Sequence, residues 1–204
     1  MCGRYYVEDN IPIEQLAEII AEVNRKIKDQ PVKTSGTVSP TDKALVMAAN
    51  GIDIMQWGLS GFDGKKVIIN SRSEGILEKP MFAKAVRETR CLIPASYYFE
   101  WELVGTKKVK NQIKPRGENV LYMAGIYRVE REKPLPVFSI ITRDAAPTIK
   151  HIHDRMPVIL APDAQREWLS PRADIAAVLK AGLSNMEFKL DAPTQQLNMF
   201  SLLQ

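Results

Sequence analysis

The chain opens Met1-Cys2-Gly3-Arg4, with a cysteine directly behind the initiator methionine. Loss of Met1 would leave Cys2 with a free α-amine beside its thiol, a 1,2-aminothiol. A free α-amine titrates near pH 8 and a thiol near 8.5, so about a tenth or more of the amine is neutral at pH 7. Such a pair condenses with an aldehyde: the amine forms an imine, the sulfur adds to it, and a five-membered thiazolidine closes. The second cysteine, Cys91, is internal and has no such amine. Position 2 also suits any small residue that permits methionine removal, so the chemistry depends on what the fold places beside it.

Three other stretches carry groups able to assist. Glu100 stands among aromatics in Tyr97-Tyr98-Phe99-Glu100-Trp101. An apolar setting disfavours the charged carboxylate and raises its pKa toward the range useful for proton transfer; an edge-strand glutamate facing water would do none of this. His153 precedes Asp154-Arg155 at a loop-to-strand junction, where functional side chains are often presented. Asn70-Ser71-Arg72-Ser73-Glu74 follows the apolar Val67-Ile68-Ile69, where polar groups can line a pocket mouth or cap a helix.

The elements that must hold these groups are mostly short. Asn10-Ile11-Pro12 starts a helix whose apolar stripe is Leu16, Ile19, Ile20, Val23 and Ile27. Two apolar runs, 44–49 and 52–57, flank Asn50-Gly51, which predicts a type I′ hairpin turn. Helices are expected from Lys79 to about Glu88, from Pro162 through Leu169, and from Arg172 to Ala181. Residues 90–101, 121–129, 137–142 and 158–160 read as strands, and Ala124-Gly125 suggests close backbone approach. Residues 105–118 read as a basic, turn-rich loop with Lys107, Lys108, Lys110, Lys114 and Arg116, either a solvated hairpin tip or a contact to nucleic-acid backbone. The last 20 residues read as irregular. These signals predict a single α+β domain over residues 1–204, a largely antiparallel, barrel-like sheet with peripheral helices.

The 204 residues carry a net charge of +4, compatible with a phosphate-bearing partner but not diagnostic of one. Two cysteines make no disulfide framework and fit a reducing, cytoplasmic setting. Neither a signal peptide nor a membrane span is expected. Cys2, Cys91, His151 and His153 are enough in number for zinc, but no Cys-x2-Cys pair occurs among them, so no metal is expected.

Taken together, Met1-Cys2-Gly3-Arg4, Asn70-Ser71-Arg72-Ser73-Glu74, Pro80-Met81-Phe82, Cys91-Leu92-Ile93-Pro94-Ala95, Tyr98-Phe99-Glu100-Trp101, Met123-Ala124-Gly125 and Ile152-His153-Asp154-Arg155-Met156-Pro157 resemble, in this order, the SOS response-associated peptidase (SRAP) family. The resemblance runs from residue 2 to about 170. It implies binding to abasic sites in single-stranded DNA, covalent capture of the ring-opened sugar as a thiazolidine, and self-processing that removes Met1. By the same resemblance, Cys2 is the nucleophile, Asn70 the pocket asparagine, Glu100 the catalytic carboxylate and His153 the catalytic histidine. Arg4, Arg72 and Arg155 match phosphate-holding positions; Trp57, Pro40 and Thr142 match DNA-facing ones. No cofactor is implied, and a monomer that joins the nucleoid when bound to DNA is expected.

The chain departs from the family pattern at three places. Thr37-Val38-Ser39-Pro40 replaces Asn-x-x-Pro, Ser96-Tyr97 replaces Asp-Gly, and Ser60-Gly61-Phe62 stands where a tryptophan is common. Two rival functions remain at this level: an N-terminal-nucleophile cysteine hydrolase acting on an amide, and a plain DNA-binding module whose cysteine is incidental.

Overall fold

The computed structural model describes residues 2–8 and 32–191. Its strands alternate between two apolar cores, and that alternation explains why several of them read as continuous apolar runs. In β9 (Arg90–Ala95) every residue is buried. Cys91, Ile93 and Ala95 enter one core, whereas Leu92 enters the other. The same division runs through β12 (Leu121–Arg128) and β13 (Val137–Asp144): Met123, Phe138 and Ile140 face the first core, and Ala124, Ile126, Val137 and Ile141 the second. Side chains two apart share a face, so a strand covered on both sides shows no polar alternation.

These strands belong to an eight-stranded sheet. β4 (Lys43–Ala48) pairs with β5 (Gly51–Trp57) and β9, β12 pairs with β9 and β13, and β5 pairs with β13. The five pairings close a ring without making a true barrel. Three further strands attach to it: β2 (Val32–Lys33) on β4, and β8 (Asn70–Arg72) and β14 (Arg155–Pro157) on β13. A five-stranded antiparallel sheet lies against the first core: β15 (Met186–Leu190), β11 (Lys107–Pro115), β10 (Tyr97–Val104), β1 (Tyr5–Val7) and β3 (Gly36–Val38) in that order. It contributes Tyr5, Val7, Tyr98 and Ile113 to that core, together with Cys2 from the stretch before β1. The short β6 (Leu59–Ser60) and β7 (Val67–Ile68) pair separately.

The helices are peripheral. α1 (Pro80–Glu88) puts Ala85 and Val86 into the second core, α2 (Pro162–Leu169) adds Trp168, and α3 (Ile175–Lys180) adds Val178 and Leu179. Proline in the first turn of α1 and α2 costs no hydrogen bond there, because that N–H has no helical partner anyway. The helix expected from Asn10 lies outside the described residues.

Four local expectations change. The hairpin at Asn50-Gly51 forms, but Ala48 pairs with Gly51, so Ala49 and Asn50 make the turn. Thr41 is the only non-glycine residue with positive φ among those described, so Asn50 is not in a type I′ turn; Gly51, at φ 123, makes the bend. The basic segment is not a loop: it is β11, paired with β10 from Val104 opposite Lys107 to Tyr98 opposite Ile113, with Gly105 and Thr106 at the tip. Its period was hidden because the inward positions include Asn111 and Pro115. Residues 158–160 make only a single bridge, Ile159 to Met123, and the paired strand is Arg155–Pro157. The C-terminal segment contains β15, whose outer residues are polar or exposed and which buries only Met186. Gly125 bears out the close approach: a Cβ there would strike Ile93 and crowd the Ser139 carbonyl.

Candidate functional site

Cys2 is anchored by the strand that follows it. β1 pairs with β10 with Tyr5 opposite Tyr98, and the Phe99 amide donates to the Arg4 carbonyl across 2.9 Å. This carries residues 2–4 along β10 toward Glu100. On β10, Tyr98 faces the first core, and Glu100, two residues on, takes the same face. Glu100 is only 4% exposed. It is not an edge residue, because β10 lies between β11 and β1.

Asn70 reaches the same place from the other sheet. β8 runs parallel to β13, with Asn70 opposite Ile140. The Asn70 side-chain amide donates to the Cys2 carbonyl at 2.9 Å. Its own Oδ1 is buried and has no hydrogen-bond partner among the described residues, so an acceptor points into the site unused. Asparagine therefore fixes the Cys2 backbone and keeps a free oxygen beside it.

Electrostatics tie the remaining members together. Burial raises the Glu100 carboxyl above its ordinary value, while His153 pulls it down and Asp154 pushes it up. Burial also raises the Cys2 thiol, and the Glu100 carboxylate raises it further. Tyr98 belongs to this group too. Burial lifts its hydroxyl well above normal, and Cys2 and Glu100 add to the shift. In the sequence Tyr98 shows only as one of the aromatics around Glu100; its place two residues before Glu100 is the signal that puts both on one strand face. Cys91 is equally buried, with its thiol raised by burial alone.

His153 sits at the end of the loop before β14, where its Nδ1 accepts from the Arg155 amide at 2.9 Å. A neutral imidazole held this way carries its proton on Nε2. Asp154 Oδ1 also lies 2.9 Å from Nδ1. That contact attracts only when Nδ1 is protonated, and the Arg155 amide then loses its acceptor. The two contacts are alternatives selected by the proton.

A cleft of about 530 Å³ borders the N-terminal stretch, lined by Gly3, Arg4, Ser39, Pro40, Trp101 and Lys108. Arg4 is exposed, and its guanidinium lies 5.4 Å from the centre of the Trp101 ring, within cation–π range. Two cations, an aromatic ring and a proline make a surface suited to a nucleic-acid backbone with unstacked bases. Trp101 was not singled out from sequence as a contact; Lys108 was named within the basic segment read as a hairpin tip or a nucleic-acid contact, and β10–β11 pairing places the two on one side. Arg72 is also exposed, on β8.

Three residues expected to face DNA do not reach the surface. Trp57 is fully buried; it stacks on Phe138, packs against Tyr5, and donates from its indole to the Ile69 carbonyl at 3.0 Å. Thr142 is fully buried within β13. Arg155 is 7% exposed, and its guanidinium is taken up by Glu74, Asp144 and the Thr142 carbonyl. Apolar packing claims the first two, and a carboxylate pair claims the third. Among the described residues no group of three or more His, Cys, Asp and Glu side chains is placed to hold a metal. None of the described helices is long and apolar enough to cross a membrane.

Solved structures share this arrangement of sheets. A crystal structure of a protein from Bacteroides thetaiotaomicron superposes with a TM-score of 0.76 at 24% identity, covering 93% of this chain and 91% of that one. A phage-related protein from Bordetella bronchiseptica gives 0.73 at 23% identity, covering 94% and 95%. The sequence profile described as SOS response associated peptidase (SRAP) matches residues 1–197, and the chain belongs to that family. Its relatives include the abasic site processing protein YoaM of Bacillus subtilis, 33% identical over 188 residues, spanning 84% of this chain and 80% of the relative. The abasic site processing protein YedK of Escherichia coli is 30% identical over 177 residues, spanning 83% and 79%.

Proposed function

We propose that this protein processes abasic sites in single-stranded DNA, capturing the lesion covalently through Cys2 once Met1 has been removed. The observation that carries the reading is the convergence of Asn70 and Glu100, from different sheets, on the residue that would become the N-terminus. Family membership and relatives named abasic site processing proteins support the substrate class.

The chemistry balances as a condensation. An abasic sugar is mostly a closed hemiacetal, and His153 exchanges the proton that opens it to the aldehyde. The neutral α-amine of Cys2 adds to C1′ and loses a proton to Glu100. Water leaves, giving the imine. The Cys2 sulfur then adds to the imine carbon, and the nitrogen takes back a proton. One water is released overall, and nothing is oxidised. A thiol raised by burial is protonated at neutral pH, so Glu100 also serves to take the proton from sulfur. Asn70 fixes the approach geometry through the Cys2 carbonyl. Cys2 is buried in the chain that carries Met1, so processing precedes capture, and the peptidase-type self-cleavage uses the same residues. Arg4, Lys108 and Trp101 receive the flanking strand, with contacts to phosphates and base faces that carry no sequence information. The protein acts as a monomer in the cytoplasm, on the nucleoid when DNA is bound.

The test compares three oligonucleotides of one sequence on a denaturing gel: abasic single-stranded, intact single-stranded and abasic duplex. A heat-stable band with the abasic single strand alone is expected. Turnover of an amide substrate without a stable adduct would favour the hydrolase instead.

A further inference from the structure

Arg155 makes four polar contacts through its two terminal nitrogens. Its Nη1 lies 2.8 Å from Glu74 Oε1 and 2.5 Å from Asp144 Oδ1; Nη2 lies 2.7 Å from Glu74 Oε2 and 2.8 Å from the Thr142 carbonyl. The pairing with Glu74 is a two-pronged fork, which fixes orientation as well as distance. Glu74 stands four residues beyond Asn70 on the same segment, and Arg155 two residues beyond His153. The fork therefore ties the segment that carries Asn70 to the loop that carries His153, across β13.

The other end of Arg155 acts on the histidine itself, because its backbone N–H is the donor to His153 Nδ1 at 2.9 Å. The Ala145 amide, donating to the Asp154 carbonyl at 2.9 Å, also straps the loop. We infer that the Glu74–Arg155 fork is a positioning device: it sets the ring orientation and tautomer of His153 relative to Asn70 and is not a phosphate grip. The inference rests on the reading of His153 as the group that opens the abasic sugar. A guanidinium with two carboxylates and a carbonyl already in place has little left to offer a phosphate. A histidine whose Nδ1 is held by an anchored amide presents Nε2 in one direction only.

The experiment separates the two roles by sign. Glu74→Gln and Arg155→Lys are made in the full chain, and each is also combined with Cys2→Ser for non-covalent binding. Lysine keeps the cation but not the fork. Positioning predicts that both variants slow covalent capture at saturating abasic single strand by about ten-fold or more, since small misplacements of reacting groups cost that much. The pH profile of the rate changes as well, because Asp154 now competes for Nδ1 and Glu100 faces the ring from β10. DNA affinity and its salt slope stay within about two-fold of the parent.

A phosphate role predicts the opposite. Glu74→Gln would release Arg155, tighten DNA binding and steepen the salt slope, while Arg155→Lys would keep most of its rate. That outcome overturns the proposal. So does an unchanged pH profile accompanied only by a lower melting temperature, which would make the fork merely structural. If the unaltered protein forms no adduct, the function proposed above fails along with this one. If it forms an adduct and the variants behave as the parent, this inference alone fails.

Discussion

The side-chain amide of Asn70 donates to the carbonyl of Cys2 at 2.9 Å, joining β8, which is attached to the ring at β13, to the stretch before β1 of the other sheet. This single bond spans 68 residues of sequence and adds a second anchor to the one that β1 pairing gives residues 2–4. A neutral hydrogen bond of this kind is worth about 0.5–1.5 kcal/mol. Asn70→Ala should therefore slow adduct formation by up to about ten-fold, with DNA affinity nearly unchanged. Single-turnover rates at saturating DNA report this; a loss confined to affinity would contradict the role.

Glu100 gives a pH-dependent prediction. Burial raises its folded-state pKa, so the folded protein holds that proton more tightly than the unfolded chain does. The group favours folding below the ordinary carboxylate value near 4.3, and that contribution is lost as pH rises through the raised value. At pH 7 the buried carboxylate is a net cost. Glu100→Gln should raise the melting temperature at pH 7, with the gap closing toward pH 4, and should abolish adduct formation. Wild type melting higher than the variant at both pH values would show that the carboxylate is not strained.

Trp57 separates core from DNA contact. It lies in the first core between Tyr5 and Phe138, and truncation of a buried tryptophan costs about 3–5 kcal/mol. Trp57→Ala should lower the urea midpoint sharply, and the fraction that remains folded should bind DNA as before. A stable variant with weakened DNA binding would restore Trp57 as a contact.

Much of the site was legible because its chemistry is local. Cys2 at the start, Asn70 after an apolar strand, Glu100 amid aromatics and His153 before Asp-Arg each carry their own signal, and order along the chain supplies the rest. What sequence could not supply was facing. Trp57, Thr142 and Arg155 belong to residue types that suit DNA, but the strand period puts the first two into apolar cores, and Glu74 and Asp144 claim the third. Lys108 reads as part of a basic, turn-rich loop until pairing of β11 with β10 sets it on the same side as Trp101. The fold class followed from hairpin signals and apolar runs. The ring closure through β12 and β13 joins strands separated by a charged linker, which no local pattern reports.

The exposed cations of the cleft supply an electrostatic test. Arg4 and Lys108 line it, and each phosphate contact removed should reduce the slope of log affinity against log salt by about one. Arg4→Glu and Lys108→Glu, measured by fluorescence anisotropy in a Cys2→Ser background, should weaken binding uniformly across oligonucleotide sequences. Unchanged slopes would remove the cleft from the DNA path.

The account stands most directly on the chemical identity of the residue that holds the lesion. The protein should be reacted with an abasic single strand, digested, and the DNA-bearing peptide sequenced by mass spectrometry. The account predicts one modified peptide beginning at Cys2, lacking Met1, heavier by the oligonucleotide less one water, and absent when an alanine is inserted ahead of Cys2. A modification on any lysine, on Cys91, or on a chain that still carries Met1 would contradict it.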